Sequence, residues 1–200
     1  MNDLWLPEGH HWDLHIEHDR QEDAGAFTGG GWKLCWHTTE SSWNSVDAMC
    51  DVLRSKRAAP HFVIGGRPGV EHPVVVQLLP LDRAGRALAN DSSDGFQTNR
   101  ANVIQVEICG RTSEIPGWPD LMYKRLANLT ELVMHRVDIP NSAPRDFSNP
   151  VRMSDSEWVA AKGYVGHCHA PDNDHVDPSR FREGFLIDLV RSIRDGGYDL

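Results

Sequence analysis

Hydrophobic and polar residues alternate with a period of two in several stretches of the chain, a pattern that predicts β-strands. One such stretch is HWDLHIEHD (11–19), where apolar Trp12, Leu14 and Ile16 alternate with polar residues. Two apolar runs, HFVIGG and VVVQLLPL, are separated by GGRPGVEHP and predict a hairpin-like pair of strands. The chain therefore begins with strands, the first of which carries a polar face.

Two further stretches place polar side chains opposite an apolar face. In WKLCWHTT (32–39), Lys33, Cys35 and His37 lie on the face opposite the Trp and Leu side chains. His37 then stands at the C-terminal end of its strand. In NVIQVEICG (102–110), Glu107 points away from the apolar row of residues 104, 106 and 108. Both strands thus present one titratable group near their ends.

Apolar residues at helical spacing predict four helices between and after these strands. The first has Ser41 or Ser42 as its N-cap, and the last follows Pro178 with Ser179 as its N-cap. A long amphipathic helix is predicted over 118–136 and a short one over 157–161, with a loop over 138–156. Strands that alternate with helices predict a single α/β domain with a central mixed β-sheet flanked by helices.

Composition excludes several classes of partner and location. The 200 residues carry a formal net charge of −9, which argues against nucleic acid as a partner because phosphate binding needs a basic face. The sequence contains no run of 18 consecutive apolar residues, so no membrane span is expected. The first residues lack the basic start and the apolar run that are typical of a signal peptide, so none is expected. The four cysteines form no CxxC pair, so reduced thiols are expected.

The segment GHCHAPDNDHVDP (166–178) holds three histidines and three aspartates, all residue types that bind zinc. A hydrolytic zinc site uses three protein ligands and leaves a position for water. The chain has no HExxH motif, so the helix-borne arrangement of many metalloproteases is excluded. A second histidine group near the N-terminus is expected to be a solvated strand face rather than a metal site. Its members are His11, His15 and His18.

The ordered set HTTES, PHFVI, IQVEICG and GHCHAPDNDHVDP resembles the type 2 N-acetylmuramoyl-L-alanine amidases, zinc hydrolases related to peptidoglycan recognition proteins. The set is most similar to the amidase modules of phage lysins that attack mycobacterial and related walls. The resemblance covers roughly residues 30 to 195. It implies an amidase domain over 31–197 and an N-terminal extension over 1–30 packed on it.

The resemblance implies a Zn²⁺ site made by His37, His167 and Asp177. His37 closes the first strand of the family pattern. His167 is the histidine after glycine in GH, and Asp177 stands ten positions later, before Pro178. Of the other candidates in the segment, His169 and Asp174 are expected near the metal ligands or on the surface.

Two catalytic roles also follow from the resemblance. The family uses either a tyrosine before the histidine of the second strand or a glutamate on the later strand as the base. Pro60 occupies the first position, which leaves Glu107 as the general base on the zinc-bound water. Where the family usually has lysine, the chain has His175, which would polarise the amide carbonyl and stabilise the oxyanion.

The implied reaction is hydrolysis of the amide bond between N-acetylmuramic acid and L-alanine in bacterial peptidoglycan, by a monomer acting as a phage endolysin. We expect synthesis in the host cytoplasm and action at the cell wall after release. Two alternatives stay open at this point. One is a peptidoglycan-binding module of the same fold that does not cleave, and the other is a histidine-rich structural phage protein.

Overall fold

The computed structural model describes residues 4–11, 13–90 and 95–196, so Trp12 and the expected domain end at residue 197 lie outside the described residues. One seven-stranded sheet is the centre of the fold. Its strands are β1 (Gly9–His11), β2 (Leu14–His18), β3 (Lys33–Thr38), β4 (Phe62–Gly65), β5 (Val74–Gln77), β6 (Val103–Ile108) and β7 (Gly163–Gly166). The helices are α1 (Val46–Lys56), α2 (Asp120–Met134), α3 (Asp155–Ala160) and α4 (Glu183–Arg194).

The strand order across the sheet is β1-β2-β5-β4-β6-β3-β7. The pairs β1–β2 and β4–β5 are antiparallel, whereas β2–β5, β4–β6, β3–β6 and β3–β7 are parallel. The expected single α/β domain with a central mixed sheet is therefore confirmed. The strands β1 and β2 come from the first 30 residues and extend the sheet beyond β5.

Each face of the sheet is covered by a pair of helices. One face carries the apolar side chains of β3 and β6, among them Leu34 and Trp36. This face packs against α2 and α4, which contribute Leu126 and Leu189 among others. The opposite face carries Val63 and packs against α1 through Val46, Cys50 and Leu53. On this second face α3 inserts Trp158 against Cys35 and Val165. Because alternate residues of β3 point to opposite faces, His37 lies on the face covered by α1 and α3.

Most of the elements expected from the sequence are confirmed, including the β4–β5 hairpin, the long helix α2 and the short helix α3. The expected start of α1 is wrong, because the helix begins at Val46. The hydroxyls of Ser41 and Ser45 bond to each other, and Ser45 Oγ donates to the carbonyl of Ser42, so residues 41–45 form a turn before the helix.

The expected start of α4 is wrong as well. The helix begins at Glu183 rather than after Ser179, because Arg180 has a φ of 63° and this left-handed conformation interrupts a helix. Phe181, which shares the helical spacing, is buried in the core before the helix starts.

Two short strands have no counterpart in the sequence prediction. β7 spans GYVG between α3 and the histidine-rich segment, and β1 spans only GHH. Both are edge strands of the sheet, and both are too short to show a period of two.

All four cysteines are buried and free. Among the helices of the described ranges, none is both long enough and apolar enough to cross a membrane.

Candidate metal centre and active site

His37 is the second-last residue of β3 and lies at the carboxyl end of the central strands. His37 is fully buried, and its Nδ1 atom lies 3.0 Å from Nδ1 of His167, although the two residues are 130 positions apart. β3 and β7 are parallel neighbours in register from Lys33–Gly163 to Trp36–Gly166. The residues that follow the paired ends, His37 and His167, are therefore brought together by the sheet itself.

Asp177 joins this pair from the end of the histidine-rich segment. Its Oδ2 atom accepts a hydrogen bond from the backbone N–H of Thr38 at 3.0 Å, and its Oδ1 atom lies 3.4 Å from His167 Nδ1. The Cys168 N–H donates to the Asp177 carbonyl, which ties the two ends of the segment together. The carboxylate is thus fixed with one oxygen directed at the histidine pair.

Ligand atoms of His37, His167 and Asp177 all lie within 4.8 Å of one another. Within the described part of the chain this is the only such group of three or more residues. Ligands bound to one tetrahedral zinc ion at about 2.0 to 2.2 Å lie about 3.3 to 3.6 Å apart. Two imidazole nitrogens that face each other and a carboxylate oxygen therefore form a donor set that fits Zn²⁺ with three protein ligands.

The electrostatics of the group separate its two histidines. Burial lowers the pKa of His37 well below its usual value, and the neighbouring His167 lowers it further. Burial also opposes the charged form of His167, but the hydrogen bond and negative charge of Asp177 outweigh it and raise the pKa of His167. For Asp177, burial is outweighed by His167 and His37, so the pKa of the carboxyl is lowered. Asp177 is thus held as the anion.

Glu107 lies beside this group on the adjacent strand. His37 and Glu107 are register partners of the parallel β3–β6 pair, and Glu107 Oε1 is 3.8 Å from His37 Nδ1. Burial, with a further contribution from Asp177, raises the pKa of Glu107 to about 8. Its Oε2 atom is buried and has no hydrogen-bond partner among the described residues. A carboxylate in this environment can exchange a proton near neutral pH.

A family model described as N-acetylmuramoyl-L-alanine amidase (Amidase_2) matches residues 30–180. The chain belongs to this amidase family. The match includes the motifs from HTTES to DP, and the type 2 amidase relationship expected from them is confirmed. No curated protein sequence matches the chain.

Solved structures with a similar fold match nearly the whole length of this chain. The hydrolase AmiA from Staphylococcus aureus, solved in complex with its ligand, is 13% identical with a TM-score of 0.57, and the match covers 92% of this chain and 86% of AmiA. A selenomethionine derivative of AmpD is 17% identical with a TM-score of 0.58, covering 94% and 99%. PlyL is 15% identical with a TM-score of 0.54, covering 88% and 96%. These similarities confirm the fold.

His175 lies over the ligand group of the amidase domain, at its solvent side. Its ring stacks on His167 with 4.4 Å between centroids, and its Nδ1 atom is 3.6 Å from Asp177 Oδ1. The side chain is 62% exposed, so the ring lies between the ligand group and solvent. The structure therefore brings together all five residues that the sequence analysis selected.

The remaining candidates of the histidine-rich segment lie outside the ligand group. His169 is buried edge-on against Phe147, and its Nδ1 accepts a hydrogen bond from the Gly166 N–H. Asp174 is fully exposed. Neither residue contributes an atom to the group of three.

The N-terminal histidines His11, His15 and His18 belong to no group of three potential metal ligands within the described residues. His11 bonds to the Pro7 carbonyl, His15 to Glu17 and His18 to the Leu6 carbonyl.

The second strand of the family pattern contributes no titratable group beside Glu107. The register partner of Glu107 on β4 is Val63, an apolar residue. His61, at the start of this strand, is buried and bonded to the Arg83 carbonyl and the Gln105 N–H. Burial lowers the pKa of His61 to about 4, so it is neutral at pH 7.

Two polar groups near the site were missed by the sequence analysis. Glu40 accepts hydrogen bonds from Thr38 Oγ1 and from the N–H and hydroxyl of Thr112, which ties the loop after β3 to the loop after β6. Asn173 bonds to His167 Nε2. The TES of HTTES and the N of PDND were visible in the sequence, but neither has a spacing that distinguishes it from an ordinary turn residue.

Proposed function

We propose that this chain is a zinc-dependent amidase that hydrolyses the bond between N-acetylmuramic acid and L-alanine in bacterial peptidoglycan. One observation carries the proposal: ligand atoms of His37, His167 and Asp177 converge within 4.8 Å. The matching family supplies the reaction class. Glu107, 3.8 Å from His37, supplies a group able to take a proton beside that point.

In this proposal His37, His167 and Asp177 would hold Zn²⁺, and the donor atoms nearest one another are Nδ1 of each histidine and Oδ1 of Asp177. A zinc ion bound there would lower the pKa of water to roughly 7 and supply a Lewis acid toward a carbonyl oxygen. The Thr38 N–H holds the other oxygen of Asp177, so the carboxylate keeps one orientation.

Glu107 acts as the proton carrier of the reaction. Its carboxylate removes one proton from the attacking water, whose oxygen bonds to the lactyl carbonyl carbon. As the C–N bond breaks, the same carboxyl group delivers the proton to the leaving nitrogen of L-alanine. Water is thereby divided between a new lactyl carboxylic acid and a new alanine amine, and the acid then transfers its proton to the amine to give a carboxylate and an ammonium group. Burial favours the protonated form of this carboxyl, which helps it to return the proton after it has accepted one.

His175 stabilises the negative charge that develops on the carbonyl oxygen. Its exposed ring stands over His167 beside the ligand group, within reach of a substrate approaching from solvent. A ring N–H directed at that oxygen contributes most in the transition state, where the charge is greatest. This is the role that lysine takes at the corresponding position in the family pattern.

The substrate is the wall polymer or its muropeptides, and the chain acts as a monomer whose amidase domain spans 31–197, with 1–30 packed on it. The proposed biological role is host lysis by a phage endolysin, made in the host cytoplasm and acting on the wall after release. The ordered motif set, which resembles the amidase modules of phage lysins, supports this role.

The test is to incubate the purified chain with peptidoglycan, to measure bound zinc, and to quantify newly released N-terminal alanine. The proposal expects one zinc per chain and alanine release that stops on chelation. A chain that binds the wall but releases no alanine is instead the non-cleaving module. A chain without bound zinc, whose activity and melting do not respond to a chelator, contradicts the metal centre.

A further inference from the structure

The side-chain amide of Asn173 is buried behind His167, on the side of the ring away from the ligand group. Its Oδ1 atom lies 2.8 Å from His167 Nε2 and accepts a hydrogen bond from the Ala89 N–H at 3.0 Å. Its Nδ2 donates to the Pro171 carbonyl at 2.5 Å, and its own carbonyl accepts from Arg152 Nε. The residue is 5% exposed. Both polar atoms of the Asn173 side-chain amide are therefore hydrogen-bonded.

These partners fix which end of the amide faces the histidine. The Ala89 backbone N–H can only donate, so it requires the amide oxygen, and the Pro171 carbonyl can only accept, so it requires the amide NH₂. Oδ1 consequently accepts from His167 Nε2, and that nitrogen carries the proton. Metal binding requires the neutral imidazole, which has one N–H, so Nδ1 of His167 is then the nitrogen whose lone pair is available to a metal.

His37 has no equivalent support. Its Nε2 atom is buried and has no hydrogen-bond partner within the part of the chain that the structure describes. Only one of the two histidine rings is thus held from behind in the tautomer that binds metal through Nδ1. Of the two histidines, only His167 therefore has its ring orientation fixed by a hydrogen bond at Nε2, and its partner in that bond is Asn173.

We propose that Asn173 is a positioning residue for the metal centre, which fixes the tautomer and ring orientation of His167. The inference rests on the proposed function, because it takes His167 as a metal ligand. Partners of this kind behind a ligating histidine affect metal affinity by about 10- to 100-fold. A competing explanation is purely structural, since Asn173 also joins the segment around Ala89 to the histidine-rich segment.

The experiment compares the zinc dissociation constants of three variants with that of the parent, by competition with a chromophoric chelator. Asn173→Leu keeps the branched shape and the number of side-chain heavy atoms but has no acceptor, whereas Asn173→Asp keeps an acceptor for His167 and Ala89 and loses the donor to the Pro171 carbonyl. Asn99→Leu is the matched control, because Asn99 is also buried and bonds to Leu88, next to Ala89, without touching a ligand. We expect about 10- to 100-fold weaker zinc binding for Asn173→Leu alone.

A second measurement needs no variant. In the zinc-loaded parent, long-range ¹H–¹⁵N spectra of the imidazole rings should show His167 protonated at Nε2, with slow exchange of that proton, and its metal-shifted nitrogen at Nδ1. A proton on Nδ1, or zinc bound through Nε2, would overturn the inference even if Asn173→Leu failed to fold.

The outcomes separate this inference from the proposed function. Parent-like zinc affinity in Asn173→Leu overturns the positioning role and leaves the metal centre intact. Equal weakening in all three variants identifies a structural effect and also overturns it. A parent chain that binds no zinc overturns both proposals. Selective weakening in Asn173→Leu, with Asn173→Asp at parent affinity or tighter, supports the inference.

Discussion

His37 and Glu107 are direct register partners on the parallel strands β3 and β6, with 3.8 Å between Nδ1 and Oε1. Backbone hydrogen bonds of the sheet set this pairing, so the Cα atom of Glu107 is held beside that of His37. In the proposed function one strand thus supplies a metal ligand and its neighbour supplies the base. The two proposed roles can be separated by mutation, because Glu107 is not one of the three residues whose ligand atoms converge.

Glu107→Gln should keep the fold and the zinc while amide cleavage falls by at least about 10²-fold, because glutamine is nearly isosteric but cannot accept the proton. Zinc content, wall binding and alanine release are measured on the same preparation. Glu71→Gln serves as control, since it makes the same change at an exposed position of the loop between β4 and β5. Parental hydrolysis by Glu107→Gln would show that another group is the base.

Asp177→Ala should lose zinc and activity together, because it removes one of three ligands and leaves the Thr38 N–H without its acceptor. A chelator should lower the melting temperature of the parent, since bound metal stabilises only the folded chain. The variant should melt at the same temperature with and without chelator. Stoichiometric zinc in Asp177→Ala, or in His37→Ala, is the result that would remove these residues from the metal centre.

His175→Ala should retain zinc but lose about 10²-fold in rate, a cost typical of removing one oxyanion donor. His175→Lys should recover most of that loss, because an ammonium group can also donate to the carbonyl oxygen. The comparison is made on kcat with zinc content determined for each variant. Equal rates for the parent and His175→Ala would mean that the ring only covers His167, on which it stacks.

The sequence was sufficient for the fold class and for the set of residues that converge. The strand faces followed from a period of two, which placed His37 and Glu107 opposite apolar rows. Proximity of His37 to His167 could not follow from periodicity, because it depends on the pairing of β3 with the four-residue strand β7. The family resemblance supplied that long-range relationship.

Contacts made by backbone groups and by turns could not be predicted from the sequence. The Thr38 N–H that holds Asp177 and the Ala89 N–H that holds Asn173 carry no residue signature, since every residue except proline has such a donor. The predicted starts of α1 and α4 were wrong for a similar reason. Serine is a good helix cap and an equally good turn residue, and only the neighbouring conformation decides between them.

Buried His61 gives a prediction about stability rather than catalysis. Its pKa is about 4 in the folded chain against a usual value of 6.5, because burial penalises the charged ring. Between these two values the unfolded chain binds more protons, so the free energy of unfolding should fall as the pH falls from about 6.5 toward 4. The full difference corresponds to about 3 kcal/mol, and it should be absent above pH 6.5.

The matched variant for this prediction is His61→Gln, because glutamine can accept from the Gln105 N–H and donate to the Arg83 carbonyl without titrating. Urea unfolding of both chains is measured at pH 7.5 and pH 4.5 with metal removed, so that loss of zinc in acid does not contribute. The parent should lose about 2 to 3 kcal/mol more than the variant between these pH values. Identical losses in the two chains would show that His61 is not the group whose protonation destabilises the fold in acid.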